Sequence, residues 1–208
     1  MPVVTMIAGP NGSGKSTLTA ELLKAGLHIG EYFNADDIAR ELAGTPSAIA
    51  AEAQAIVRER RELAMREMRD HSFETVMSHV SHIEFLRTAR AAGFETRLVF
   101  VATDDPGINQ GRVANRVKHG GHDVPRDRIT SRYWRCLENL PAAIAAADHS
   151  LIFDNSSDRA AFSALAEIRN GYLRHLGMQS VLATRPCWWL EILPLIKAQP
   201  VLKDGLIL

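Results

Sequence analysis

The segment Gly9-Pro10-Asn11-Gly12-Ser13-Gly14-Lys15-Ser16-Thr17 constrains this chain more than any other part of it. It follows Val3 to Ala8, a continuous apolar run containing Thr5 that reads as a fully buried strand. Helix-forming residues then run from about Lys15 to Ala25. Strand, GxxxxGK[ST] loop and helix in that order make a phosphate cradle. The glycines admit backbone conformations that a side chain would block, so successive N–H groups can turn toward an anion at the positive end of the helix. All nine residues from Gly9 to Thr17 are expected to touch the phosphates of a nucleotide. Lys15 is expected at the β- and γ-phosphates, and the Ser16 hydroxyl at Mg²⁺.

The rest of the chain alternates strand and helix signals. Tyr32-Phe33, Ser72 to Met77, Arg97 to Ala102 and Leu151 to Phe153 are the further strand candidates. Between them, helices are expected after Asp36-Asp37, from Pro46 to about Asp70, through Ile83, Leu86 and Arg90, and from about Asp105 to Lys118. Pro125 opens another helix that reaches about Ala147, with Pro141 as a break point. Ile49, Ile56 and Leu63 are seven apart and predict the buried face of the long helix. This pattern predicts an α/β fold, a P-loop three-layer sandwich with a mostly parallel five-stranded sheet. Beyond Asp158 the pattern changes. Asn170-Gly171 signals a hairpin between Leu165–Arg169 and Tyr172–Leu176. Trp188, Trp189, Ile192 and Leu195 predict an amphipathic helix packed back on the domain. A single domain over 1–208 is expected, with a C-terminal extension from about 160.

Composition narrows the function. The 208 residues hold 24 Lys+Arg against 24 Asp+Glu, for a formal charge of zero, without the basic excess that nucleic-acid binding needs. Cys136 and Cys187 are far apart and form no CxxC, so neither a disulfide framework nor a zinc site is expected. No segment is long enough to cross a membrane, and the N-terminus lacks the basic region of a signal peptide. A cytoplasmic protein is the expectation. GTPase base-reading motifs such as NKxD are absent, and the length leaves no room for the modules of most helicases or transporters.

What remains favours a small phosphotransferase, in which catalysis holds two substrates in line and neutralises charge. Such an enzyme needs a carboxylate near the acceptor hydroxyl, and Asn34-Ala35-Asp36-Asp37 supplies two after the second strand. It needs a polar group at the end of a strand beside the loop, where Glu74-Thr75 fits. It needs cations over the phosphates, and Arg112 and Arg116, one helical turn apart, begin a lid region at about 105–135. Ser78 and His79 follow the third strand and can line the acceptor pocket. The HxxH pairs His79/His82 and His119/His122 lack a third ligand for zinc. Asp154-Asn155-Ser156 reads as a turn near the nucleotide base rather than a Mg²⁺ site.

The ordered set of the P-loop, Phe33-Asn34-Ala35-Asp36-Asp37, Phe73-Glu74-Thr75, Arg112 through Pro125 and Phe153-Asp154-Asn155-Ser156 resembles the zeta toxin family, in particular its short stand-alone bacterial members. The similarity covers about residues 3 to 175. It implies a P-loop kinase that uses ATP or GTP with Mg²⁺. It also implies transfer of a γ-phosphoryl group to a hydroxyl of UDP-N-acetylglucosamine, and a small antitoxin protein as partner. By this resemblance Asp36 is the catalytic base, Glu74 contacts the sugar substrate and Arg116 is the first of two phosphate-clamping arginines. The second falls near His122, where this chain has no arginine, so either Arg112, Arg126 or Arg128 supplies the charge or the clamp is weaker. Asn34, Thr75 and His79 are further residues expected at the substrate. Two alternatives stay open: a non-toxic housekeeping small-molecule or nucleotide kinase, and a nucleotide-binding regulatory protein with little catalysis.

Overall fold

The computed structural model describes residues 1–121, 123–157, 162–176 and 186–198. Five parallel strands form first: β1 (Val3–Ala8), β2 (Glu31–Phe33), β3 (His71–Thr75), β4 (Glu95–Ala102) and β5 (His149–Asp154). A hairpin of β6 (Ser163–Arg169) and β7 (Tyr172–Leu176) continues the same sheet antiparallel to β5, and β8 (Lys197–Ala198) runs parallel to β7 at the edge. The sheet order is β2-β3-β1-β4-β5-β6-β7-β8. The expected five-stranded parallel sheet is therefore present, and the hairpin together with β8 extends it to eight strands. The order of strand addition switches side about β1, with β3 on one side and β4 on the other, while all five strands stay parallel. That leaves a crevice at the C-terminal ends of the strands, where ligands bind in open α/β sheets.

Seven helices accompany the sheet among the described residues: α1 (Lys15–Lys24), α2 (Ala35–Ala39), α3 (Pro46–Arg66), α4 (Ser81–Ala91), α5 (Pro106–Lys118), α6 (Arg126–Ala146) and α7 (Cys187–Ile192). The central strands are apolar on both faces because both faces are covered. Val4, Met6 and Ala8 of β1, with Leu98, Phe100 and Ala102 of β4, join the larger core under α3, α4, α6 and α7. Ile7, Val99 and Val101 face the other way and pack on Leu18 and Leu22 of α1.

Three sequence expectations change. The buried stripe of α3 runs through Ala53, Val57 and Ala64, while Leu63 is 39% exposed. The fourth position of that stripe is Arg61, whose guanidinium stacks 3.7 Å from the Phe73 ring and 4.0 Å from the Phe85 ring. An apolar count by heptads misses it, because the arginine buries its stem and lays its head on aromatic faces. Helix α6 continues through Pro141 without a break. The proline forfeits one backbone hydrogen bond, and burial of Leu140, Ala143 and Ile144 holds the helix together around it. Finally, α7 stops at Ile192 and Leu195 falls in a 3₁₀ turn (Leu193–Leu195), 63% exposed. Trp188, Trp189 and Ile192 do pack back on the domain, buried in the larger core.

Candidate active site

Residues Gly9 to Ser13 leave β1 and α1 begins at Lys15, with Gly12 (φ 77°) and Gly14 (φ 95°) in the left-handed region. The loop is held from outside by two asparagines. Asn109 Nδ2 of α5 donates to the Asn11 carbonyl at 2.6 Å, and Asn155 Nδ2, at the end of β5, donates to the Ser13 carbonyl at 2.9 Å. In a trans peptide the C=O and the following N–H point in opposite directions. Anchoring the carbonyls of 11 and 13 against the protein therefore turns the N–H groups of Gly12 and Gly14 the other way. The approach is tight: a Cβ on Gly12 would lie 2.7 Å from the Asn109 carbonyl oxygen, and one on Gly14 2.5 Å from Asn155 Nδ2. Lys15 folds back over the loop, its Nζ donating to the carbonyls of Gly9 (2.9 Å) and Pro10 (3.0 Å). Burial pushes the Lys15 ammonium below its ordinary value, and the carboxylates of Glu74 and Asp36 oppose that.

The β1–β3 register pairs Ile7 with Glu74 and Ala8 with Thr75, which brings the end of β3 against the loop. The Glu74 side chain lies on the α1 side. Its Oε2 accepts from the Ser16 hydroxyl at 3.0 Å, while Oε1 accepts from Thr19 Oγ1 at 3.4 Å and from the Tyr32 hydroxyl. Burial, then the Glu74 charge, raises the Tyr32 phenol above its ordinary value, so it stays a donor. Asn34 is the N-cap of α2. Its Oδ1 accepts from the Asp36 amide at 2.8 Å, and its Nδ2 donates to the Tyr32 oxygen at 3.1 Å.

Asp36 and Asp37 fall in the first turn of α2, both exposed. Asp36 Oδ2 lies 3.5 Å from Arg116 Nη1 of α5, whereas Asp37 pairs with Arg40 at 2.7 Å. Glu74, Asp36 and Arg116, from three further elements, thus all act electrostatically on Lys15. Arg116 sits in the last turn of α5, which closes in a Schellman motif: the Gly121 N–H donates to the Arg116 carbonyl and the Gly120 N–H to that of Val117, both at 3.0 Å. Arg112 Nη1 donates to the Asn155 carbonyl at 2.9 Å, tying the front of α5 to the end of β5.

Thr75 and His79 are placed differently from one another. The Thr75 hydroxyl meets His82 Nε2 at 2.7 Å and accepts from the Met77 amide at 3.0 Å, so it shapes the turn after β3. His79 is exposed and bonded to Ser81. Asp154 is buried and taken up by Ser156 (2.6 Å) and Trp188 Nε1 (3.3 Å), in keeping with a turn rather than a metal ligand. His122 lies outside the described residues. Tyr32, Asn109 and Phe162 are the contributors that sequence reasoning passed over. Strand parity could have found Tyr32, which must face opposite to the buried Phe33. Phe162 borders a cavity of about 410 Å³ that it lines with Thr17, Leu18, Leu22 and Phe153. Phe162 also adopts φ 54°, a conformation that aromatic residues rarely take.

Comparison with known proteins agrees with this architecture. A family model described as an AAA domain matches residues 4–132, more than half of the chain; Asn155 and the cavity residues Phe153 and Phe162 lie beyond it. The chain belongs to the AAA domain family. An uncharacterized protein of Haemophilus influenzae is 29% identical over 126 residues, covering 60% of this chain and 88% of its own. Among solved structures, the AvrRxo1-ORF1:-ORF2 complex with ATP matches 92% of this chain with a TM-score of 0.67 at 17% identity. This chain covers 63% of the length of that one. A structure from the PezAT chromosomal toxin-antitoxin system of Streptococcus pneumoniae matches 94% of this chain and 78% of its own, with a TM-score of 0.57 at 13% identity. At these identities the likeness is one of fold. Among the described residues no helix is long and apolar enough to cross a membrane.

Proposed function

We propose that this protein is a Mg²⁺-dependent phosphotransferase that moves the γ-phosphoryl group of ATP or GTP to a hydroxyl of a small molecule. The observation that carries the reading is the meeting of Asp36 and Arg116 beside Lys15. A base, a lid cation and the loop lysine converge where an acceptor and a terminal phosphate would meet. Lys15 would leave the carbonyls of Gly9 and Pro10 for the phosphates, exchanging two neutral acceptors for charged ones. Asp36 and Arg116 are both exposed, and such a pair is worth only about 0.2–1 kcal/mol, so an incoming hydroxyl can take Asp36 and an incoming phosphate Arg116. The acceptor oxygen then bonds to the γ-phosphorus as the bond to the β,γ-bridging oxygen breaks. The acceptor proton passes to Asp36 and the nucleoside diphosphate leaves.

The residues at the loop fit Mg²⁺. Ser16 is the expected ligand. Glu74, which the zeta-toxin resemblance assigns to the sugar, is bonded to the Ser16 hydroxyl and so is read here on the metal side. Both offer only oxygen donors, and Mg²⁺ takes few protein ligands because it keeps waters and phosphate oxygens. When bound, the ion neutralises charge on the β- and γ-phosphates. The cavity beside Thr17, walled by Phe162 and Phe153, suits a flat purine.

The motif resemblance to zeta toxins favours UDP-N-acetylglucosamine as the first acceptor to try, and, with the likeness of fold to the structure from the PezAT toxin-antitoxin system, a small antitoxin as the first partner. The test is mass spectrometry of UDP-N-acetylglucosamine, and separately of a metabolite extract, incubated with the protein, ATP and Mg²⁺. The mass of one added phosphate on the nucleotide sugar is expected. Its appearance on another metabolite alone would overturn the acceptor and favour a housekeeping kinase. Its appearance on none would favour the regulatory reading.

A further inference from the structure

An unbroken run of hydrogen bonds crosses the site from the start of α2 to the start of α1. Asp36 N–H donates to Asn34 Oδ1, Asn34 Nδ2 to the Tyr32 oxygen, the Tyr32 hydroxyl to Glu74 Oε1, and the Ser16 hydroxyl to Glu74 Oε2. An amide nitrogen only donates and a carboxylate only accepts, so the two hydroxyls are fixed as donors to Glu74. From this run we infer that Tyr32, braced by Asn34, is a positioning residue that fixes the Glu74 carboxylate against Ser16 and so readies both for Mg²⁺. The inference rests on the phosphotransferase reading and deepens it.

A carboxylate on a two-bond stem has several rotamers, and Ser16 alone, itself exposed, would not select one. Tyr32 is rigid by comparison. It sits on β2 in register with Ser72, two residues before Glu74 on the neighbouring strand and on the same face, and it packs against the smaller core under α1. Its hydroxyl approaches Glu74 from the β2 side, while Ser16 and Thr19 approach from α1. Two sides of the carboxylate are therefore fixed by separate elements. Because Asn34 also caps α2, the same run sets where the helix that carries Asp36 begins, and the metal locus and the proposed base share one support. Outer partners of this kind typically change metal affinity by about 10–100-fold when removed.

The experiment uses the intact protein with a non-hydrolysable ATP analogue and Mn²⁺ as the probe, read by electron paramagnetic resonance. Tyr32→Phe keeps the ring and removes only the hydroxyl. It should weaken Mn²⁺ binding to the analogue complex about tenfold, while binding of the analogue in EDTA stays within about twofold of the parent. Asn34→Ser, which can still cap α2 but cannot reach Tyr32, should weaken Mn²⁺ by a smaller factor in the same direction. Parental Mn²⁺ affinity in Tyr32→Phe overturns the inference and leaves the phosphotransferase reading intact. So does an equal loss in EDTA, which would mark Tyr32 as general scaffolding. A parent protein that binds the analogue no better with Mn²⁺ than without it overturns both.

Discussion

Replacing Asn155 by Ala removes the donor that holds the Ser13 carbonyl, and its cost can be worked from the structure. Asn155 is 9% exposed and Ser13 fully buried, so water cannot simply take over. A stranded buried acceptor costs about 1–3 kcal/mol. For a chain of this length each kcal/mol moves the melting temperature by about 2–4 °C, so a midpoint near 2 kcal/mol gives a fall of about 4–8 °C. The loop should suffer separately. With the 13–14 peptide no longer fixed, the Gly14 N–H must be re-aimed at the moment of binding. If about 1.4 kcal/mol of the lost bond is recovered then, ATP affinity falls about tenfold. Calorimetric melting and ATP titration read the two effects. Asn155→Asp sharpens the test, since it keeps the shape but aims a carboxylate at a carbonyl oxygen. It should be worse than Ala on both measures. An Asp variant that behaves like the parent, or an Ala variant with unchanged melting and affinity, would refute the argument that this side chain aims the loop.

Asp36→Asn should abolish phosphoryl transfer with ATP affinity nearly unchanged, and Asp37→Asn should retain transfer because Asp37 is turned to Arg40; steady-state assays of the two variants decide between neighbouring carboxylates. Phe162→Ala opens one wall of the cavity beside Thr17. Loss of a stacked base costs about 1–3 kcal/mol, so ATP should bind at least fivefold more weakly by calorimetry, while inorganic triphosphate, which has no base, should bind as before. Burial holds both His71 and His82 below the ordinary imidazole value. The unfolded chain therefore takes up protons first as pH falls: stability is full above about pH 6.5 and declines below it. The melting temperature should drop between pH 7 and pH 5, and one that rises over that range would contradict the assignment.

The parts of the fold set by neighbours in sequence were legible. The loop, its flanking strand and helix, and the Asn170-Gly171 hairpin each depend on a few adjacent residues whose backbone demands are narrow, and each is where the pattern puts it. Alternation of strands and helices was enough for the parallel sheet. The inner face of α3 was misread because Arg61 occupies a core position, and no apolar count registers a cation stacked on two phenyl rings. Glu74 was legible as a strand-end carboxylate, but its contact with Ser16 follows from the β1–β3 register, which no local pattern states. Asn155 and Ser13 are 142 residues apart; their contact exists only once β5 has been added beyond β4. Tyr32 lies in a strand of only three residues, where the one usable signal was parity: its neighbour Phe33 is apolar and buried, so Tyr32 faces the other side.

The central claim is that Asp36 receives an acceptor hydroxyl in line with a triphosphate held by the loop. The most direct measurement follows the label of γ-³²P-ATP in a small-molecule extract with Mg²⁺, comparing the parent protein with Asp36→Asn. The account predicts label in a new organophosphate with the parent and none with the variant, both proteins binding ATP alike. Label released only as inorganic phosphate, or the same labelled product from both proteins, would contradict it.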